Sequence, residues 1–156
     1  MKMVNIRLAL PDDINECIKI RGMTRENPVS SARLAELGIT VESWSMAVKK
    51  GDNIGFIALF ANKSIGFCFG DTKTGEILVL AILPEFENRG VGKALLGQTM
   101  RALQTIGHKR LFLGSDPRPH IRAYGFYRHL GWKPSGAYDK LGDEELVYIF
   151  EDSTNI

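Results

Sequence analysis

Apolar and polar residues alternate over residues 5–10, the two-residue period of a half-buried strand. Past Pro11, Asp12 and Asp13 precede Ile14, Cys17 and Ile18, a spacing that predicts a first helix, capped by an aspartate and ending near Arg21 and Gly22. An Asn27-Pro28 loop leads to Ser30. From there Leu34, Ala35 and Leu37 predict a short helix stopped by Gly38, and Thr40 heads another short segment through Trp44, Ala47 and Val48. The texture then changes. Residues 53–60 and 63–70 are β-type runs separated by Ala61-Asn62, which is hairpin spacing. Residues 71–75 are turn chemistry. Residues 76–83 form a strand whose unbroken apolar run from Ile77 to Leu83 predicts burial on both faces. A long helix is expected from Gly90 to about Ile106, with Val91, Leu95, Thr99, Ala102, Leu103 and Ile106 on one stripe and Gly107 at its end. A short strand over 110–114 follows. Ala123, Phe126, Tyr127 and Leu130 then mark an amphipathic helix stopped by Gly131, and strands over 132–138 and 145–150 close the chain.

This order of elements places the chain in the α/β (α+β) class, a mixed sheet with helices on its faces. With 156 residues, 44% hydrophobic and 24% charged, one domain over residues 1–156 with a single core is expected. Cys17 and Cys68 lie far apart, inside apolar patterns and without metal-ligand spacing. They read as buried free thiols of a reducing cytosol, with no disulfide framework and no metal. Residues 1–10 lack the apolar segment of a signal peptide, and a seven-residue apolar run cannot span a bilayer. The expectation is a soluble, cytoplasmic protein without a membrane partner. The net charge of +2 hides an asymmetry: residues 88–133 hold nine Lys and Arg against one acid, Asp116, leaving 11 basic and 17 acidic residues elsewhere. Such a half suits an anionic partner, or is a set of solvated helix faces.

The sharpest feature lies between the buried strand and the long helix, where Glu87-Asn88-Arg89-Gly90-Val91-Gly92-Lys93 forms a glycine-rich turn. The first turn of a helix carries N–H groups with no internal acceptor and favours negative charge. Gly90 and Gly92 allow close approach of a phosphate to the backbone, and Arg89 and Lys93 add full positive charge. A Walker A loop would need glycine at position 87 and Ser or Thr at 94, where Glu87 and Ala94 stand. A dinucleotide fingerprint would need a third glycine at position 95, where Leu95 stands, and no acidic residue follows at the expected distance. A purely structural turn is the remaining alternative.

The stretch 76–96 resembles the coenzyme-A-binding segment of the GNAT superfamily of N-acetyltransferases, a buried strand, a turn of the form Gln/Arg-x-x-Gly-x-Gly/Ala, and a helix. Glu87 departs from its first position. A second segment, Arg122-Ala123-Tyr124-Gly125-Phe126-Tyr127-Arg128-His129-Leu130-Gly131-Trp132, is similar to the family's Arg-Ala-x-x-Phe-Tyr-x-x-x-Gly-Phe/Trp. The resemblance spans residues 5–150. It implies a GNAT-like, mostly antiparallel sheet of six or seven strands with helices on both faces, and acetyl-CoA as co-substrate. It further implies transfer of acetyl to a primary amine of a small molecule or peptide in a ternary complex.

On this resemblance, Glu87, Asn88, Arg89, Gly90, Val91, Gly92 and Lys93 hold the pyrophosphate, with Arg122 reaching a phosphate. Leu80, Ala81 and Ile82 supply the strand edge that takes the pantetheine arm. Free amides of Leu80 and Ile82 would polarise the thioester carbonyl. Tyr127 matches the family's acid for the leaving thiolate, and Glu76 matches one member's base, with a water chain as the alternative; Glu26, Glu42 and His120 are other candidates. Arg25, Glu26, Asn27 and Trp44 fall on the acceptor side: an acid there suits a cationic amine, Arg25 a carboxylate-bearing one. A homodimer is implied as well, with residues 145–150 offering an edge. The rival readings are a non-catalytic acyl-CoA-binding or sensing module of the same fold, and a nucleic-acid-binding domain, which no aromatic-rich basic strand or recognition helix supports. Neither a metal nor a nucleic-acid partner is expected.

Overall fold

The computed structural model describes residues 3–151; Met1, Lys2 and residues 152–156, counted in the single domain expected above, lie outside the described residues. The elements run β1 (Asn5–Leu8), α1 (Ile14–Arg21), α2 (Ser31–Glu36), α3 (Val41–Lys50), β2 (Asn53–Phe60), β3 (Lys63–Asp71) and β4 (Ile77–Ile82). Then come α4 (Val91–Ile106), β5 (Arg110–Ser115), α5 (Arg122–His129), β6 (Lys133–Tyr138) and β7 (Glu144–Ile149).

Local chemistry accounts for most boundaries. Ser30 caps α2 by accepting the Arg33 N–H at 3.1 Å, and Thr40 caps α3 by accepting the Ser43 N–H at 3.0 Å. Ala61 and Asn62, at φ 51° and 65°, make the two-residue turn between β2 and β3. The expected aspartate cap of α1 is absent. Asp13 instead ends a short 3₁₀ turn, pairs with Arg7 at 2.8 Å and accepts the Leu10 N–H at 2.7 Å.

The seven strands form two antiparallel sheets, β1-β2-β3-β4 and β5-β7-β6. A parallel bridge joins them, Glu76 to Phe112, where the Phe112 N–H donates to the Gly75 carbonyl at 3.3 Å. Past that bridge no ladder links β4 to β5 among the described residues.

Helices cover both faces of the first sheet. One core gathers Leu95, Leu96 and Leu103 of α4 with Cys68, Leu111, Trp132 and Leu146. The other gathers Ile14, Cys17 and Ile18 of α1 with Leu34, Trp44, Phe67 and Phe69. Burial on both faces thus falls on β3, which has α4 on one side and α1 on the other. In β4, Leu78 is 42% exposed, because one edge of that strand opens onto a cleft. Two more expectations are corrected. Ile106 is 51% exposed at the end of α4, outside the buried stripe. Residues 144–149 are not an edge: β7 is the middle strand of its sheet, and the exposed edge is β6.

Candidate active site

Where β4 and β5 part, a cavity of about 1010 Å³ opens, lined on one wall by residues 77–82 and on the other by Leu113, Gly114 and Ser115. The register Phe67↔Ala81 and the bond from the Leu83 N–H to the Ile65 carbonyl at 2.9 Å fix which way the β4 amides point. Residues 79, 81 and 83 turn their backbone groups to β3. Leu80 and Ile82 turn theirs to the open side, where no strand meets them. Extra Leu78 between the pairs Phe69↔Val79 and Gly70↔Ile77 is a bulge that bends β4 near the bridge.

The glycine turn stands at the end of this edge. Asn88 and Gly90 take left-handed backbone, φ 63° and 80°. The first helical bond of α4 runs from the Ala94 N–H to the Gly90 carbonyl at 3.1 Å, so the amides of Val91, Gly92 and Lys93 have no acceptor in the helix. A Cβ on Gly92 would lie 3.2 Å from Ile82 Cδ1 and 3.5 Å from the Phe126 ring, so glycine lets α4 seat against β4 and α5. A Cβ on Gly90 would meet nothing within 4 Å, which leaves that side of the turn open. Asn88, Gly90, Gly92 and Lys93 line the cavity. Val91 buries its side chain in the core, and Arg89 lies over the Phe86 ring at 5.2 Å rather than in the lining.

The loop between α1 and α2 straps across the cleft. Arg25 pairs with Glu87 at 2.9 Å. Glu26 accepts the backbone N–H of Arg122, at the start of α5, at 3.0 Å. Asn27 donates to Asp116 at 3.3 Å, and Asp116 is held well below the usual carboxylate range, first by its hydrogen bonds from Arg118. The Arg122 guanidinium donates to Asn88 at 3.0 Å and lies 4.0 Å from Glu87. Arg25, Glu26 and Asn27, expected at the acceptor, line the cavity and are at the same time tied to the glycine turn, to the start of α5 and to Asp116 in the loop before α5. Glu87, the departure from the family pattern, is the carboxylate on which Arg25 and Arg122 converge. Trp44 lines the cavity from α3 and packs edge-on against Phe67 and Phe69, with centroids 5.8 and 5.1 Å away.

Tyr127 lines the cavity from α5, its ring edge-on to Phe126 at 5.1 Å and to Trp132 at 6.0 Å. Burial pushes its phenol well above the ordinary value, while the Arg21 guanidinium pulls it down in part. Glu76 sits at the root of the splay, outside the cavity lining. Its carboxyl is pushed up by burial first, then by Asp71, Asp139 and Glu145. Pattern reading missed Arg21, Ser115, Asp116 and Asp143, which all line the cavity. The Ser115 hydroxyl is buried and has no hydrogen-bond partner. Among the described residues no group of three or more His, Cys, Asp or Glu is arranged to hold a metal ion, and no helix is long and apolar enough to cross a membrane.

The model of the acetyltransferase (GNAT) family matches residues 18–132. The chain is 33% identical over 72 residues, 46% of its own length, to mycothiol acetyltransferase of Beutenbergia cavernae, and 23% identical over 152 residues, 97% of its length, to amino-acid acetyltransferase of Pseudomonas putida. It spans 24% and 32% of the lengths of these relatives. Its fold is similar to the crystal structure of PaiA N-acetyltransferase from Thermoplasma acidophilum in complex with coenzyme A, with a TM-score of 0.72 at 20% identity over 95% of this chain and 99% of that one.

Proposed function

The chain belongs to the GNAT family of acetyltransferases, and from that premise we propose that it moves acetyl from acetyl-CoA directly to a primary amine of a small molecule or peptide. One observation carries this reading: an open strand edge at Leu80 and Ile82, a helix start with three unsatisfied amides, and a buried phenol border one cavity. The lining fits the co-substrate. Its pyrophosphate suits the amides of residues 91–93 and Lys93. Its arm suits the open edge of β4, where an extended chain can take the hydrogen bonds that β5 does not. The thioester supplies the activated acetyl group.

In this reading the residues divide the chemistry. The Leu80 and Ile82 amides donate to the carbonyl oxygen as charge grows on it; one such donor is commonly worth about 3 kcal/mol. Tyr127 gives its proton to the departing sulfur. A free alkylamine has a pKa of roughly 10, so a proton must be removed before attack. We assign that removal to Glu76 acting through water, since its carboxyl stands back from the lining and burial raises its proton affinity. The crystal structure with coenzyme A and the acetyltransferase relatives support the co-substrate.

The test is coenzyme A thiol release by the purified full chain, given acetyl-CoA and a panel of amines. Thiol release that requires both acetyl-CoA and an amine is the expected result. Acetyl-CoA binding without amine-dependent thiol release across the panel would leave an acyl-CoA-binding module instead.

A further inference from the structure

Burying a charge costs free energy unless a partner compensates it. Most cations of the cavity have a partner or an evident anion to meet. Arg25 is held by Glu87, Arg122 by Asn88 and Glu87, and Lys93 stands among the open amides of α4. Arg21 is different. It ends α1, is partly buried and lines the same cavity as Tyr127. Its Nη1 donates to the Asn27 carbonyl at 2.7 Å, and no carboxylate lies within ion-pair reach of it among the described residues. The acids of the neighbouring loop are committed elsewhere, Glu26 to the Arg122 amide and Asp116 to Arg118. Burial lowers the guanidinium's proton affinity.

The guanidinium is held in place before any ligand arrives. Asn27, at φ 50°, turns its carbonyl to Arg21 while its side chain grips Asp116. One donor is used, and the other N–H groups of the planar fork remain, the arrangement that takes a carboxylate with two parallel bonds. We propose that Arg21 is the subsite for a carboxylate on the acceptor, so that the acetylated amine belongs to a small amino acid. The inference rests on the transferase reading above. It favours a small molecule over a peptide, whose terminal amine has no carboxylate beside it. It differs from phosphate binding, because the turn has its own cations, Lys93 and Arg122, whereas Arg21 ends α1 and is held by the Asn27 carbonyl. The rest of the lining narrows the side chain. Leu37, Ile39 and Leu78 are exposed apolar residues of the cavity, suited to an apolar group, while Asp71 and Asp143 disfavour an acidic one.

The test compares leucine with isopentylamine, and phenylalanine with phenethylamine, as acceptors of the full chain and of Arg21→Gln. Each pair differs only in the carboxylate. The different basicity of the two amines cancels when the ratio of their kcat/KM values is compared between proteins. The expected result is a fall in that ratio of at least about tenfold in Arg21→Gln, the loss usual for a charge-assisted hydrogen bond, seen in KM of the amino acid and partly restored by Arg21→Lys. Thermal unfolding and acetyl-CoA calorimetry report whether the variant is folded. If it is not, the amino-acid over amine ratio of wild type with and without added acetate, a competitor for the carboxylate subsite, stands in; an unchanged ratio overturns the proposal. An unchanged ratio in the folded variant also overturns it. So does an equal loss of kcat with both acceptors and a shifted pH profile, which would make Arg21 a positioning residue for Tyr127. Turnover of the amines but not the amino acids sinks the carboxylate subsite alone. Turnover of neither kind by the full chain, with acetyl-CoA still bound, overturns the amino-acid subsite, and the transferase reading falls with it only where the wider amine panel also gives no thiol release.

Discussion

Tyr127 shows what burial does to one side chain. Its phenol stays protonated through the neutral and mildly alkaline range, because desolvation raises its pKa more than Arg21 lowers it. That is the state a proton donor must hold. Tyr127→Phe is expected to lower kcat at least several-fold while calorimetry finds acetyl-CoA affinity nearly unchanged, since the ring packing against Phe126 and Trp132 survives. An unaltered kcat would reduce the phenol to packing. Burial acts on the thiols in the same direction: Cys17 and Cys68 are pushed up from 9.0 to about 12, chiefly by desolvation. The folded chain then keeps protons that the unfolded chain releases. The stability they contribute is whole below pH 9 and drains as pH rises from about 9 towards 12. The denaturant midpoint should fall over that window, and fall less steeply in Cys17→Ala; parallel slopes would exclude the thiol. At this scale the sequence named Tyr127 through its Phe-Tyr pair. It passed over Arg21, which patterns as the basic last turn of a helix, because only folding shows that a chain neighbour supplies a carbonyl and no carboxylate.

The turn between β4 and α4 depends on its two glycines for different reasons. Gly90 needs left-handed backbone, whereas Gly92 needs the absence of a side chain between α4, Ile82 and Phe126. Gly90→Ala should cost roughly 1–2 kcal/mol of stability, about 2–8 °C in Tm for a chain of this length, because the new methyl group meets only open space. Gly92→Val should instead push α4 from β4, displace the open amides and weaken acetyl-CoA by at least about tenfold, or 1.4 kcal/mol, in calorimetry. Equal effects of the two changes on affinity would argue against this division. The helix, the turn and the hairpin were all legible, since each is written in adjacent residues. The partners of the last strands were not. Residues 144–149 carry the same alternation whether they lie at an edge or in the middle, and β5 and β6 decide which from more than one element away. The apolar run of β4 predicts double burial for a like reason: a wall of an open cleft and a wall of a core are written in the same residue types.

At the scale of the molecule, two sheets meet at one bridge, and the cleft beyond it is spanned by a strap at whose contacts two carboxylates, Glu87 of the glycine turn and Glu26 of the strap itself, occupy the sites an anion would want. Glu87 holds Arg25 and faces Arg122; Glu26 takes the first amide of α5. On the proposed reading, a phosphate entering this end meets cations already partly neutralised, so that its binding would exchange one anion for another. Arg25 is exposed while Glu87 is largely covered; a surface pair of this kind is worth about 1 kcal/mol, or roughly fivefold in affinity. Glu87→Gln removes the competing charge while keeping a similar shape. It should therefore tighten acetyl-CoA by up to about fivefold at low salt, with the gain shrinking as ionic strength screens the freed guanidinium groups. Calorimetry at two salt concentrations measures both. Weaker binding in the variant would mean that Glu87 serves the opposite end, aiming Arg25 and Arg122 at the phosphate rather than occupying them, and the family pattern's departure at this position would then be an orienting group instead of a competitor.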